Sequence, residues 1–171
     1  MSVLVDHQIA ALCEMGLITP YNPDLINPAS IDVRIGDTAV IETEEDWRDY
    51  DMSQHTVENP FWLMPKEFLL VATIETFNLP DNICGEFRIT SSRAREGHDN
   101  ALAVWLDPGW NNSHLTLELV NNCRFHRLPL WKGRIIGQII LKKCDDSPRR
   151  SYAKTGRYNH HHAVHRSLGD K

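Results

Sequence analysis

No run of about 18 consecutive apolar residues occurs in the chain, which excludes a membrane-spanning helix. Its first residues, MSVLVDHQIAAL, hold no basic n-region and no cleavage pattern, so the sequence reads as cytoplasmic rather than secreted. Cysteines are few. Cys13, Cys84, Cys123 and Cys144 are scattered without a C-x-x-C spacing, and read as four free, mostly packed thiols. The patterns G-x-x-x-x-G-K-[ST], G-x-G-x-x-G and G-x-S-x-G are all missing. So is the H-x-E…P-C-x-x-C arrangement that holds a catalytic zinc in one class of deaminases. There is no internal repeat and no low-complexity linker, and 171 residues suit one domain with a real core.

What is present is an ordinary globular composition, 42% apolar and 24% charged, with the charge unevenly placed. From Lys142 onward eight Lys/Arg face three Asp, leaving ten basic against twenty acidic residues in 1–141. The body is therefore about −10 and the tail about +5. An acidic body argues against a nucleic-acid groove. The basic tail has two readings: a solvated end lying on its own body, or a flap that closes over an anionic ligand.

VDHQIAALCEMGLI reads as a short N-terminal helix, with Asp6 as N-cap, Ile9, Leu12 and Cys13 on one face and Gly16 at the stop. After it come SIDVRIG, TAVIET, FWLMP, EFLLVATIETFNLP, ICGEFRITS, ALAVWLDPGW, HLTLELVNN and RIIGQIILKK. All are short, rich in β-branched and aromatic residues, and separated by Pro, Gly, Asn and Asp. That pattern predicts a mostly β protein, a sandwich or jelly-roll-like barrel. SSRAREG at 91–97 is the one internal stretch that could form a helical turn, capped by Ser91 or Ser92 and ended by Gly97. Residues 1–150 form the expected β domain. Residues from about Cys144 lack an apolar period, and 151–171 are expected to be a mobile tail.

Three stretches carry chemistry. In ITSSRAREG, hydroxyls, turn amides and the guanidinium forks of Arg93 and Arg95 are what a phosphate chain requires, although a plain helix cap would use the same residues. In WLDPGW, Asp107 opens a turn, and turn chemistry alone accounts for it. In HLTLELV, strict alternation places Leu115, Leu117 and Leu119 on one face and Thr116, Glu118 and Val120 on the other, so Glu118 meets either water or a ligand. HHHAVH (160–165) reads as a solvated tail or, less economically, as a metal site without a scaffold.

In combination these stretches resemble the dCTP deaminase branch of the deaminase/dUTPase superfamily. S-S-x-A-R, D-P-G-W, a Glu eleven residues past the Asp, and GRIIGQIIL stand in that branch's order and spacing. ASIDVRIG (29–36) looks like its early strand motif, and LMPKEFLLVATIETFNLPDNICGEF (63–87) like its central hairpin and Leu-Pro turn. The similarity runs from about Asn27 to Arg166.

The resemblance implies a distorted β-barrel or jelly roll of the dUTPase-like type with a short N-terminal helix. It implies a homotrimer with sites at subunit boundaries, no zinc at the base, and Mg²⁺ accompanying the triphosphate. Residue by residue, Glu118 falls on the family's general base, Ser91 and Arg95 on its supporting pair, and Ala103 where a backbone carbonyl positions the attacking water. Asp107 falls on a residue expected to bind the sugar 3′-hydroxyl, and Ser92, with Arg93 nearby, among the phosphate contacts. In the tail, Arg157 and Tyr158 fall on ligand-closing positions. Thr90 stands where the family usually has Arg, and His161 where it has Gln. The implied activity is hydrolysis of dCTP to dUTP and ammonia in pyrimidine deoxynucleotide metabolism. Competing readings are a dUTPase, a bifunctional dCTP deaminase/dUTP diphosphatase, and a non-catalytic nucleotide-binding regulator on the same trimer.

Overall fold

The computed structural model describes residues 1–101 and 103–170. Two strands, β1 (Ser2–Val3) and β2 (Ile18–Thr19), flank helix α1 (Asp6–Glu14). The helix starts one residue earlier than expected. Val5 is the N-cap, and its N–H is taken by Gln8 Oε1 at 3.2 Å, while Asp6 is the first helical residue. Ile9 and Cys13 are buried, Leu12 packs against the core, and Gly16 ends the turn at φ +90°.

Next come β3 (Ile26–Asn27), β4 (Ser30–Glu42), β5 (Trp47–Asp51), β6 (Phe61–Leu63), β7 (Phe68–Asn78) and β8 (Ile83–Ile89). Helix α2 (Ser91–Glu96) interrupts the strands. Then follow β9 (His98–Asn100), β10 (Trp105–Leu106), β11 (Asn111–Asn121), β12 (Leu128–Leu130), β13 (Ile135–Lys143) and a short α3 (Tyr152–Thr155). Among the described residues the main sheet runs β10-β8-β13-β4-β7-β11-β9, and β12 and β6 form a small second sheet. The mostly β, curled, barrel-like architecture expected from the sequence is the one present.

The curl has a physical cause in β4. SIDVRIG and TAVIET are one strand, not two. Its first half pairs with β13 (Ile31↔Ile139) and its second with β7 and β5 (Val40↔Leu70, Val40↔Asp49). At the change of partner lies Gly36, where a Cβ would come within 2.8 Å of the Ala72 and Thr73 carbonyl oxygens, so only glycine allows that approach. The corner is tied by a buried carboxylate: Glu75 accepts from Arg34 N at 2.9 Å and from Arg34 Nε at 2.8 Å. Phe77, Phe87, Leu117, Leu119 and Ile139 fill the space enclosed.

Three further expectations change. ALAVWLDPGW supplies only the two-residue strand Trp105–Leu106, with Leu102 outside the described residues. Thr90, not a serine, is the N-cap of α2, which Gly97 ends at φ +108° as expected. The tail is described through Asp170 and lies along β11 and the start of β5. His114 N donates to His161 O at 2.8 Å, and Arg166 reaches Trp47 O at 2.7 Å.

Candidate active site

Strand β11 carries the site. The alternation predicted for it holds at Leu117 and Leu119, both buried, with Glu118 between them on the opposite face. It fails at Leu115. A register shift between His114 and Thr116 turns the Leu115 N–H to Thr73 Oγ1 at 3.1 Å, and His114, Leu115 and Thr116 all reach the same cavity as Glu118. A bulge beside a functional side chain is a common way to re-aim it.

Glu118 is held by the backbone on both sides. Across β7 it faces Leu70. On the β9 side its N–H donates to Asn100 Oδ1 at 2.9 Å, and its carbonyl accepts from Ala101 N at 2.9 Å. The carboxylate itself projects into a cavity of about 930 Å³, within the usual size for a small-molecule site. Oε2 is buried without a hydrogen-bond partner. Burial pushes the Glu118 carboxyl up to about 7, opposed in part by the Ala103 backbone amide. A carboxyl balanced near neutrality can both take and return a proton.

The walls are aromatic. Trp105, Trp110, Trp47 and Phe68 line the cavity, and Tyr152 and Tyr158 come to it from the tail. Asp107 stands at the rim in the turn 107–110, closed by Trp110 N to Asp107 O at 3.1 Å; Gly109 has φ +85°, as a type II turn requires. The Trp105 indole N–H reaches Asp107 Oδ1 at 3.1 Å. His161 also lines the cavity, its ring 3.8 Å from that of His165, with Nδ1 buried and unpartnered. Desolvation and the neighbouring histidines keep His161 below its ordinary value. Within the histidine run His161 and His165 form part of a wall, while His160 and His162 are exposed. Among the described residues no three His, Cys, Asp or Glu side chains converge as metal ligands.

One chain gathers Glu118, Ala103, Asp107, Tyr158 and His161 at the cavity. Ser91, Ser92, Arg93 and Arg95, all on α2, are not among its lining residues. Ser91, Ser92 and Arg95 are exposed, while Arg93 pairs with Glu96 at 3.0 Å. Glu96 also holds the buried Arg134 at 2.6 Å, which fixes α2 against the start of β13. Arg157 is turned away too, donating to the Leu168 and Gly169 carbonyls at 2.6 and 2.7 Å. Among the described residues of the tail Arg166 lines the cavity; sequence reasoning did not single out Arg166 or Tyr152 as site residues, and met Trp105 and His165 only as parts of the WLDPGW and HHHAVH stretches. Only the tryptophans of W-L-D-P-G-W offered a signal, as large apolar side chains bracketing a polar turn.

Comparison with known proteins gives the same outline. Residues 3–144 match the family described as dCTP deaminase-like. The chain is 33% identical over 137 residues to a dCTP deaminase of Pyrococcus horikoshii, covering 80% of this chain and 81% of that one. It is 31% identical over 166 residues to a dUMP-forming dCTP deaminase of Rhodococcus opacus, covering 90% and 87%. Among solved structures, the 2′-deoxycytidine 5′-triphosphate deaminase from Agrobacterium tumefaciens superposes with a TM-score of 0.67 at 21% identity, a likeness of fold. That alignment covers 81% of this chain and 47% of the other, so this chain spans about half its length. With most of its length matched by the family and by relatives of similar size, the chain belongs to the dCTP deaminase-like family.

Proposed function

We propose that the protein hydrolyses dCTP to dUTP and ammonia, with Glu118 as the general base. The observation that carries this reading is the Glu118 carboxyl, half-buried, with Oε2 buried and unpartnered, and raised to about 7 at the wall of an aromatic cavity. Water attacks C4 of the cytosine ring as Glu118 takes one of its protons. The carboxyl returns that proton to N3, and a second proton leaves with the exocyclic amine as ammonia while the C4 carbonyl forms. Positioned proton transfer of this kind is worth roughly 10²–10⁴-fold. Aromatic walls suit a flat base, and Asp107 at the rim suits a sugar hydroxyl.

In this reading α2 serves a neighbouring copy. Exposed on a single chain, Ser91 and Arg95 would meet another subunit's Glu118 in a homotrimer, where Arg95 holds the carboxylate charged and Ser91 bonds the reacting centre. Ser92 and Arg93 would face phosphate, and from the tail Tyr158 and His161 would close on the nucleotide, with Arg157 released to a phosphate. Mg²⁺ would arrive on the triphosphate; such an ion takes most of its ligands from phosphate and water, which suits a chain with no converging acidic cluster among its described residues.

A second reading is favoured by one observation. Relatives named dCTP deaminase and relatives named as dUMP-forming match at nearly equal identity, 33% and 31%. The test is the purified protein given dCTP, dUTP or dCMP, with ammonia and pyrophosphate both measured. Ammonia from dCTP without pyrophosphate supports deamination alone, and the two together support the bifunctional reaction. No ammonia from any of them overturns the proposal.

A further inference from the structure

The first part of the tail does more than border the cavity: it grips the turn that carries Asp107. Pro108 O accepts from Tyr152 N at 3.2 Å. The Trp110 indole N–H donates to Tyr158 O at 2.7 Å, and Asn111 N donates to Asn159 Oδ1 at 2.9 Å. Asn159 closes the loop on itself, its Nδ2 donating to Tyr152 O at 2.8 Å. Ser151 is buried, caps α3 by accepting from Ala153 N at 3.1 Å, and donates its own proton to Asp81. Gly109 faces this anchor directly. A Cβ there would come within 2.6 Å of Asp81 Oδ1 and 3.0 Å of Ala153 N, and would run into Ser151 Oγ. The glycine therefore serves the seating of the tail as well as the turn.

The Asp107 side chain is exposed and takes a hydrogen bond from the Trp105 indole; the far end of its turn is tied to the body by Leu79 N to Trp110 O at 2.8 Å, Asn111 Nδ2 to Gly109 O at 2.9 Å and the stacking of Trp110 on Phe77, so the near end, at Pro108 and Gly109, is where the tail's grip counts. Glu118, in contrast, lies on a strand paired on both sides by β7 and β9.

We infer that Ser151 and Asn159 are positioning residues for substrate recognition, which clamp the tail to the 107–110 turn and so set Asp107 at the distance a sugar hydroxyl requires. The inference rests on the nucleotide reading above and adds to it how sugar recognition is built. Misplacing a recognition group by about 1 Å is enough for a large loss. Because the base is held independently, that loss falls on recognition rather than on the proton transfer.

The test compares dCTP with 2′,3′-dideoxycytidine triphosphate, which lacks the 3′-hydroxyl, on the full chain and on Asn159→Ala and Ser151→Ala. The wild type is expected to prefer dCTP. Both variants should lose about tenfold of that preference, with KM for dCTP rising about tenfold, kcat falling less than threefold and the acid limb of the pH profile unmoved. Asn159→Asp keeps the acceptor for Asn111 N but not the donor to Tyr152 O, so it should lie between, and it carries the test if the alanine variant fails to fold. Unchanged preference in the folded variants overturns the clamp and leaves the deaminase reading standing. A wild type that deaminates both nucleotides equally removes the role of Asp107 and this inference with it. A wild type that releases no ammonia from either overturns the function itself, and the clamp's role falls with it.

Discussion

Replacing Glu118 by glutamine should abolish catalysis and stabilise the fold in the same step. The carboxyl moves from an ordinary 4.5 to about 7 on burial. At about 1.4 kcal/mol per pH unit, the ionised side chain is roughly 3 kcal/mol less favourable in the fold than in the unfolded chain. The sign follows from which state holds the proton. Between pH 4.5 and 7 the folded protein keeps it and the unfolded chain loses it, so stability falls as pH rises through that window. Below 4.5 the penalty vanishes, and above 7 it is complete. Glutamine never ionises, so Glu118→Gln should match the wild type near pH 4 and exceed it at pH 8 by up to about 3 kcal/mol. For a chain of this size that is roughly 6–12 °C in Tm. Thermal unfolding at the two pH values, beside ammonia release from dCTP, measures both halves. Turnover should fall at least about 100-fold, and wild-type kcat/KM should fall below pH 7 as the base takes its proton. If Arg95 of a neighbouring copy pairs with the carboxylate, the acid limb lies lower and the thermal gain shrinks, and Arg95→Ala should restore both. A glutamine variant that keeps more than a tenth of turnover, or that gains nothing at pH 8 even in the Arg95→Ala background, refutes the reasoning.

Truncation after Pro148 removes Tyr158, His161 and Arg166 from the cavity wall and is expected to lower catalysis at least tenfold in a protein that still folds; normal turnover with unchanged KM would make the tail a passive end. Activity with excess Mg²⁺ should survive a zinc-selective chelator, and a loss reversed only by zinc would sink the carboxylate-only mechanism. His98 is buried with Nε2 unpartnered, and desolvation lowers it to about 4, so the unfolded chain binds a proton that the fold refuses. Stability is therefore lost as pH falls from 6.5 to 4, by up to roughly 3 kcal/mol. Over pH 4.5–6.5 Glu118 works in the opposite direction, so acid unfolding should be steeper in Glu118→Gln than in the wild type, and equal slopes would argue against one of the two burials.

Most of the fold was legible because its signals are local. Short runs rich in β-branched and aromatic residues mark β4, β7, β8 and β13, alternation marks β11, and Pro, Gly, Asn and Asp punctuation marks the turns between them. What failed was non-local. Nothing in SIDVRIG-D-TAVIET says that the strand continues through Gly36 while changing partners, because the reason is a close approach to the carbonyls of Ala72 and Thr73, more than thirty residues away. WRDYD at 47–51 was missed as a strand because three of its five residues, Arg48, Asp49 and Asp51, are charged and exposed; it pairs at the edge of β4, where charge is the usual protection of an unpaired edge.

The site was legible in a different proportion. Alternation left Glu118 facing either water or a ligand, and it was the resemblance, carried by several motifs in fixed order, that put it on the family's general base. Asn100 could not be picked out. It meets Glu118 from a three-residue strand, His98–Asn100, whose sequence His-Asp-Asn has no β-propensity to announce it. Apart from His161, which the resemblance put at a ligand position, the histidines of the tail looked like solvated end residues because a partner such as Thr116 Oγ1 for His165 N at 3.4 Å lies on β11, far away in the chain. Charge along the tail does not say which arginine stands where. In the structure Arg157 is bound to the tail's own carbonyls and Arg166 stands at the cavity. A guanidinium goes to whichever acceptors its backbone brings within reach, and that is fixed by how the tail is clamped at Ser151 and Asn159, not by the sum of charges along it.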